Sequence, residues 1–352
     1  ENPFLYQATA TLAEKTQVVD AASDRFGMRK VEVNGKQIYL NDKPIFLRGW
    51  LCDAVYPDQI SPTLNEQDAR RILNLCKEYG FNFVRHHTHP AVPVFHEIAD
   101  ELGVLQLEEY ASHGSIGNPR VDPTQKTRRH VFGTWRKMIE RDRNNPAVIL
   151  WSVGNECYSL FDPAARVFGW LRDVVRNFDI TRPVTMCEFT YDARPFDDNR
   201  MTAKYMDVIC VNAYYGWFYG EAEEMRDHLE RLHQRFPDKP IILSEFGADA
   251  ALGRTDEAGV WNPRQEEGAF AYGAYGKTHS EDYQVELYRR YWELAREKEY
   301  VAGISPWIFS DFYHPSPWFE KSLVPGHVLK GVVTREREPK RVYHELRKYY
   351  RS

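Results

Sequence analysis

The chain has 352 residues, which is enough for one large barrel or for two ordinary domains. Its 46 Lys and Arg residues and 51 Asp and Glu residues give a net charge of −5, and no basic run is dense enough for a nucleic-acid footprint. No apolar stretch approaches the roughly 18 residues that span a bilayer, so we expect neither a nucleic-acid partner nor a membrane.

The first 25 residues alternate as a β-strand does and then reach a polar break. They have neither the basic nor the apolar region of a signal peptide, and they are typical of the end of a β-domain. Turn signals at 34–35 (NG) and 41–42 (ND) separate short β-rich runs, which predicts a hairpin. We therefore expect a remnant of a β-domain at 1–25 and the main domain at 26–352.

From residue 45 onward, β-rich runs alternate with segments of helical periodicity. The predicted strands are 45–50, 81–87, 104–110, 147–156, 183–189, 207–215, 240–247 and 301–312. The predicted helices are 65–79, 93–102, 125–144, 163–179, 221–236, 281–298 and 340–350. The strands are continuous and apolar, as parallel strands are when helices cover the sheet. Eight of them predict a (β/α)₈ TIM barrel, favoured over an open doubly wound sheet because no Gly-rich phosphate turn follows an early strand.

The active site of such a barrel lies at the carboxyl ends of the strands. Glu156 ends the predicted fourth strand and Glu245 the seventh, so the two can face each other across the barrel mouth. Glycoside hydrolysis needs two such carboxyl groups, one to protonate the leaving oxygen and one to attack the anomeric carbon. Asn155, directly before Glu156, is placed to hydrogen-bond a neighbouring sugar hydroxyl. The alternative is that both glutamates are helix caps or partners in structural ion pairs.

Two further function classes stay open. An H-x-H at a strand end, here His87 and His89, is found in barrel hydrolases that bind a metal. Such a site needs further His or Asp ligands on later strands, but strands five and six end in Glu188 and Asn212, with no His. A carbohydrate-binding barrel without catalysis is the other alternative.

The five cysteines are scattered without a CxxC pair, which predicts buried thiols and favours a reducing compartment such as the cytoplasm.

Several motifs are similar to those of a known family. ENPFLY, FGMRKVEVNGKQIYLNDKPIFLRG, NNPAVILWSVGNE and PIILSEFGAD occur in the order and spacing of glycoside hydrolase family two, which includes β-galactosidase and β-glucuronidase. The chain resembles the catalytic barrel of that family along essentially its whole length. The resemblance implies that residues 1–25 end an immunoglobulin-like β-sandwich domain. We expect a carbohydrate substrate and no cofactor or metal, and a homo-oligomer stays open.

The resemblance also implies a mechanism and a set of roles. The protein would be a retaining, exo-acting β-glycosidase that works through a covalent glycosyl-enzyme, with Glu156 as the acid/base and Glu245 as the nucleophile. Arg85 corresponds to the strand-two arginine that supports the nucleophile. The positions that correspond to the lining of the sugar subsite are Asn155, Asn212, Tyr214 and Trp307.

The sequence departs from the family pattern at the ends of the first two strands. Strand two reads RHHTHP instead of R-x-SHYP, so Thr88 and His89 take the usual His and Tyr positions. His86, His87 and His89 are therefore predicted to contact the glycon in a different way. After strand one, Asp53 is the acidic residue that remains, and it is a further predicted substrate contact.

A second departure lies in the last loop. β-Glucuronidases of the family hold the sugar carboxylate with an N-x-K motif, where this chain has Val-Leu-Lys at 328–330. Lys330 is thus a predicted substrate contact without the paired donor that a carboxylate prefers. The choice between a β-galactoside and a β-glucuronide stays open. The long segment 248–279 is predicted to be either a wall of the cleft or a surface insertion.

Overall fold

The structure, a computed structural model, describes residues 3–53, 65–110, 125–157, 162–189, 202–260, 277–314 and 322–352. Five strands precede the barrel: β1 (Tyr6–Glu14), β2 (Gln17–Phe26), β3 (Val31–Asn34), β4 (Gln37–Leu40) and β5 (Lys43–Ile45). β1 and β2 form an antiparallel ribbon of their own, exposed along nearly its whole length. That residues 1–25 belong to an immunoglobulin-like domain stays a prediction.

Eight parallel strands close into a barrel. They are β6 (Leu47–Asp53), β7 (Phe83–His87), β8 (Leu105–Glu109), β9 (Val148–Asn155), β10 (Val184–Phe189), β11 (Ile209–Asn212), β12 (Ile241–Glu245) and β13 (Val301–Ile304). Each strand pairs with its neighbour in the sequence, and β13 pairs with β6 to complete the ring. The predicted (β/α)₈ barrel is confirmed, with Glu156 directly after the fourth barrel strand and Glu245 at the end of the seventh.

The antiparallel sheet of β3, β4 and β5 closes the amino-terminal end of the barrel. Its antiparallel pairing confirms the predicted hairpin. Ile38 is fully buried in this sheet and shares an apolar cluster with Val31. The cluster also contains Leu47 and Phe83, the first residues of β6 and β7, and Leu150 of β9. Because this end is filled with apolar side chains, the polar site lies at the opposite end.

Seven α-helices lie in the described part of the chain, and all seven were expected from the periodicity. They are α1 (Glu66–Glu78), α2 (Pro93–Leu102), α3 (Gln125–Asp142), α4 (Asp162–Phe178), α5 (Glu224–Arg235), α6 (Glu281–Glu297) and α7 (Arg341–Arg351). Asn65 caps α1 by accepting a hydrogen bond from the Asp68 N–H at 2.9 Å, and Gly103 ends α2 in the left-handed conformation. No helix in the described ranges is long and apolar enough to cross a membrane.

The strand predicted over 301–312 is wrong beyond Ile304, where β13 ends. Pro306 has no N–H to donate to a sheet, and the next N–H, that of Trp307, bonds to the Phe246 carbonyl at 2.9 Å. The chain therefore continues irregularly beside its neighbours instead of as a strand, with the Phe309 N–H donating to the Leu51 carbonyl at 3.2 Å. Two short strands beyond it, β14 (Phe312–Tyr313) and β15 (His327–Val328), pair with each other.

The strand predicted over 207–215 is also too long, because β11 covers only Ile209–Asn212. The N–H groups of Trp217 and Phe218 both donate to the Tyr214 carbonyl at 3.0 Å, which turns the chain. This turn holds Tyr214 at the mouth of the barrel rather than along its wall.

The closure between β13 and β6 can be tested at Gly303. A Cβ atom there would lie 2.6 Å from the Leu47 Cβ and 2.7 Å from the Leu47 carbonyl oxygen. Because backbone atoms cannot move aside, we expect Gly303→Ala to lower the free energy of unfolding by about 1–3 kcal/mol. Gly133→Ala is the control, since nothing lies within 4 Å of its Cβ position in α3, and it should raise stability by about 0.5–1 kcal/mol. Equal shifts of the two variants in urea unfolding would contradict this description of the closure.

Candidate active site

Arg85 on β7 is the centre of the polar network at the carboxyl ends of the strands, and its side chain is fully buried. Nη1 donates to Glu245 Oε1 at 2.8 Å. Nη2 donates to Asn155 Oδ1 at 2.7 Å and to Glu109 Oε2 at 3.2 Å. These acceptors belong to β12, β9 and β8, so one guanidinium connects four strands. A buried cation needs such partners, and the two carboxylates supply the opposite charge.

Glu245 ends β12, and both of its carboxylate oxygens accept hydrogen bonds. Arg85 donates to Oε1, and the Tyr214 hydroxyl donates to Oε2 at 3.0 Å. Only 4% of the residue is exposed to solvent. The two donors fix the plane of the carboxyl group, so Glu245 is held in one orientation.

Glu156 follows β9 in a left-handed conformation, with φ of 47°. Its N–H donates to the Cys187 carbonyl at 2.9 Å, and its Oε1 accepts from Asn212 Nδ2 at 3.0 Å. Burial, and next the negative charge of Glu245, raise the pKa of Glu156 to about 8. Glu156 therefore keeps its proton at neutral pH. A non-glycine residue in this conformation is uncommon and is typical of functional positions.

Two asparagines connect the glutamates to Arg85. Asn155 Oδ1 accepts from both Arg85 and Asn212 Nδ2, the latter at 2.9 Å. Asn212 Oδ1 accepts from the Ser244 hydroxyl at 2.7 Å, which leaves its Nδ2 facing Asn155 and Glu156. The orientation of each amide is set by these bonds, so both side chains present a fixed pattern of donors and acceptors.

The three histidines of strand two have different environments. His87 lies in the network, with Nε2 3.1 Å from Asn155 Nδ2 and 3.6 Å from Glu245 Oε1. His89 is half-buried, with Nδ1 3.1 Å from the carbonyl of Pro90. His86 was expected at the glycon, and this is wrong. Its side chain bonds to Gln106 on the outer side of the barrel, because alternate residues of a strand face opposite ways.

Trp307 and Lys330 lie on one side of the mouth. The Trp307 ring centre is 6.5 Å from that of His87, and Lys330 Nζ is 5.8 Å from the Trp307 ring centre. Nζ also donates to Asp249 Oδ1 at 2.9 Å, and the lysine is 1% exposed. The sequence pattern did not single out Asp249, although it lies four residues after Glu245.

Glu109 is a second residue that had no expected role. Its inward orientation follows from the alternation that also places Arg85 inside the barrel, and this signal was present in the sequence.

Glu188, at the end of β10, lies outside this network. Its Oε1 accepts from the Thr202 N–H at 2.7 Å, and burial raises its pKa to about 7. Asp53 ends β6, and its side chain lies outside the described residues, as do residues 261–276 of the predicted cleft wall.

The metal-site hypothesis for strand two gains no support. Among the described residues, His87 and His89 belong to no group of three or more His, Cys or carboxylate ligand atoms within 4.8 Å of one another. His87 contacts the amide and carboxylate of the network instead.

Residues 31–352 match the family model described as "Glycosyl hydrolases family 2, TIM barrel domain". The chain belongs to this family. Glu156 and Glu245 lie at the ends of strands four and seven of this family-two barrel, and glycoside hydrolysis uses a pair of carboxyl groups.

Similar proteins include a β-glucuronidase of Rattus norvegicus, 32% identical over 99% of this chain and 51% of the relative. A β-glucuronidase of Streptococcus agalactiae is 29% identical over 99% of this chain and 57% of the relative. The chain thus spans about half the length of the curated relatives that it matches. A solved β-glucuronidase from Ruminococcus gnavus has a TM-score of 0.85 at 24% identity, covering 99% of this chain and 57% of that one, and this likeness shows the shared fold.

The protonated state of Glu156 can be measured by infrared titration. We expect the carbonyl stretch of a protonated glutamic acid to disappear with a midpoint near pH 8, because Glu156 is protonated below its pKa of about 8 and ionised above it. Glu156→Gln should remove this step. Glu188→Gln is the matched control: it should remove a step near pH 7 and leave the one near pH 8. A step near pH 8 that survives in Glu156→Gln would contradict the assignment.

Proposed function

We propose that this family-two barrel is a retaining, exo-acting β-glycosidase with Glu245 as the nucleophile and Glu156 as the acid/base. The observation that supports it best is the unequal environment of the two carboxyl groups. Arg85 and Tyr214 donate hydrogen bonds to the two oxygens of Glu245, whereas burial, and next the charge of Glu245, raise the pKa of Glu156 and keep its proton on.

The reaction takes two steps on these groups. Glu245 attacks the anomeric carbon while Glu156 donates its proton to the leaving oxygen, which gives a covalent glycosyl-enzyme. The ester has no negative charge, so the Coulombic contribution of Glu245 that raised the pKa of Glu156 is removed. Glu156 can then accept a proton from the incoming water. Two inversions at carbon give net retention of the β configuration.

Asn155 and Asn212 are proposed to bind the sugar as well as the glutamates. Both amides lie between Glu156 and Arg85, and Asn155 is directly before the acid/base. Trp307 offers an aromatic surface on the same side as His87, and sugar C–H faces pack on such rings. Asp53 and His89 stay proposed substrate contacts.

The two glutamate roles predict different rescue behaviour. Glu245→Ala should lose at least about 10³-fold in kcat, because no covalent intermediate forms. Azide, a small anion that fits the space left by the carboxylate, should restore turnover and yield an α-glycosyl azide. Glu156→Ala should lose roughly 10²–10⁴-fold in kcat on substrates with poor leaving groups. The fall of its activity above pH 8 should disappear. With azide, this variant should yield a β-glycosyl azide.

Glu188→Gln is the control for this pair, because it alters a buried carboxyl of a neighbouring strand that bonds to Thr202. It should keep the wild-type pH profile and product. Glycosyl azides of the same configuration from both alanine variants would refute the separate roles. Inverted product from the wild type, detected by proton NMR, would refute retention.

The proposed glycon is a β-glucuronide. The relatives that match are named β-glucuronidase, and Lys330 lies beside Trp307 at the mouth. A β-galactoside is the second candidate, because Asp249 already accepts a hydrogen bond from Lys330 at 2.9 Å and balances its charge. A neutral sugar would then meet a carboxylate and an ammonium group that both suit hydroxyls.

Lys330→Met distinguishes the two glycons. If Lys330 binds a sugar carboxylate, kcat/KM for a nitrophenyl β-glucuronide should fall by roughly 10²-fold, the loss expected for a buried charge-assisted bond, while that for the β-galactoside changes less. An equal fall for both sugars would remove the lysine from glycon selection. Thermal unfolding of the variant checks that the lost pairing with Asp249 has not disrupted the barrel.

The alternatives have direct tests. Absence of turnover on nitrophenyl β-galactoside, glucoside, glucuronide, galacturonide and mannoside would favour the non-catalytic carbohydrate-binding barrel. Loss of turnover on complete chelation, with the fold intact, would favour a metal-dependent hydrolase at His87 and His89. A homo-oligomer stays a proposal, which light scattering on a size-exclusion column tests.

A further inference from the structure

A second cluster of ionisable side chains lies on the outer side of the barrel, away from the sugar site. It consists of His96 on α2, Glu108 on β8 and Asp142 at the end of α3. Their exposed fractions are 1%, 0% and 1%. Because alternate residues of a strand face opposite sides, Glu108 points outward while its neighbour Glu109 reaches Arg85 inside the barrel.

The facing atoms of the cluster are close but are not hydrogen-bonded to each other. His96 Nε2 lies 3.5 Å from Glu108 Oε2 and 3.8 Å from Asp142 Oδ2. Among the described residues, neither His96 Nε2 nor Glu108 Oε2 has a hydrogen-bond partner. Buried polar atoms are rarely left in this state, so both orphaned atoms require an explanation.

Gln106 sets which nitrogen of His96 faces the carboxylates. Its Oε1 lies 3.0 Å from His96 Nδ1 and 2.8 Å from His86 Nε2, so both rings donate to it. With a proton on Nδ1, the neutral His96 ring directs the Nε2 lone pair at two carboxylate oxygens. The Arg141 guanidinium pairs with both oxygens of Asp142, but among the described residues no donor satisfies His96 Nε2 or Glu108 Oε2, so these two atoms favour a further positive charge between them.

The separations indicate which cation that is. A proton on Nε2 would draw a carboxylate oxygen to about 2.7–2.9 Å, which is shorter than both contacts. A tetrahedral divalent ion with bonds of about 2.0–2.1 Å separates its ligand atoms by about 3.4 Å. The contacts of 3.5 and 3.8 Å are close to that value.

The surrounding groups complete the pattern of a metal site. Gln106 orients the histidine from behind, as outer-shell carbonyls do for metal-bound imidazoles. The Ala91 N–H donates to Glu108 Oε1 at 2.9 Å, which leaves Oε2 for the ion. Arg141, whose side chain is 40% exposed, donates to Asp142 Oδ1 and to Oδ2 at 2.7 Å, so an ion would share Oδ2 with this guanidinium.

We propose that His96, Glu108 and Asp142 bind a divalent first-row metal ion, of which Zn²⁺ is the test case. One imidazole and two carboxylates suit this class of ion, with a water or a second carboxylate oxygen as the remaining ligand. The ion would join α2 and α3 to β8, one residue before Glu109. Its role is structural, because the ligands face away from the sugar site.

The test uses the whole chain, stripped with a chelator and dialysed. Wild type, Glu108→Gln and the control Asp100→Asn are each titrated with ZnCl₂. Asp100 is also a buried carboxylate on α2, but it accepts from the Ala147 N–H and the Asn145 amide. We expect one zinc per chain in wild type and Asp100→Asn, with Tm raised by roughly 3–5 °C at a large excess over Kd. Glu108→Gln should lose both effects.

Two further measurements keep the proposal open to refutation if Glu108→Gln folds poorly. Co²⁺ in the wild type should show the intense visible absorption of a tetrahedral site, and Zn²⁺ should displace it. Failure of stripped wild type to bind zinc at micromolar concentration, or to gain Tm, would overturn the metal site and leave a protonated His96 between the carboxylates. Stoichiometric zinc in a folded Glu108→Gln would also overturn it, because the ion would then lie elsewhere.

Discussion

The polar network at the barrel mouth depends on one set of interactions, the hydrogen bonds of the buried Arg85 guanidinium. A cation without access to water is unfavourable unless its donors find acceptors, and here the acceptors come from three other strands: Glu109, Asn155 and Glu245. They meet only when the barrel is closed in the correct register. The buried charge of Arg85 therefore favours one specific arrangement of the strand ends. That arrangement places the residues of the candidate active site.

The different environments of the two glutamates follow from their positions relative to this cation. Glu245 contacts the guanidinium directly, through a hydrogen bond of 2.8 Å. Glu156 is reached only through Asn155 and Asn212, so its environment is governed by burial and by the nearby anion, which raise its pKa to about 8. One fixed positive charge thus gives two identical side chains different environments, which suits the proposed roles of acid and nucleophile.

The alternation of side chains along β7 and β8 divides the chemistry between two sides of the barrel wall. Arg85 and Glu109 face the mouth, whereas His86 and Glu108 face the helices. The backbone that presents Glu109 to Arg85 is therefore the same backbone that the proposed metal ion would hold from outside.

The sequence by itself determined the barrel, the helices, and the two glutamates at the ends of strands four and seven, because periodicity, caps and short motifs are local properties. It also held the signal that Glu109 faces inward and His86 outward. Only the tertiary structure decided the pairing of Lys330 with Asp249 and the convergence of His96, Glu108 and Asp142. Arg85 and Glu245 are 160 positions apart, and Lys330 and Asp249 are 81 apart. Contacts at such separations depend on how the ring closes, and no local pattern encodes that.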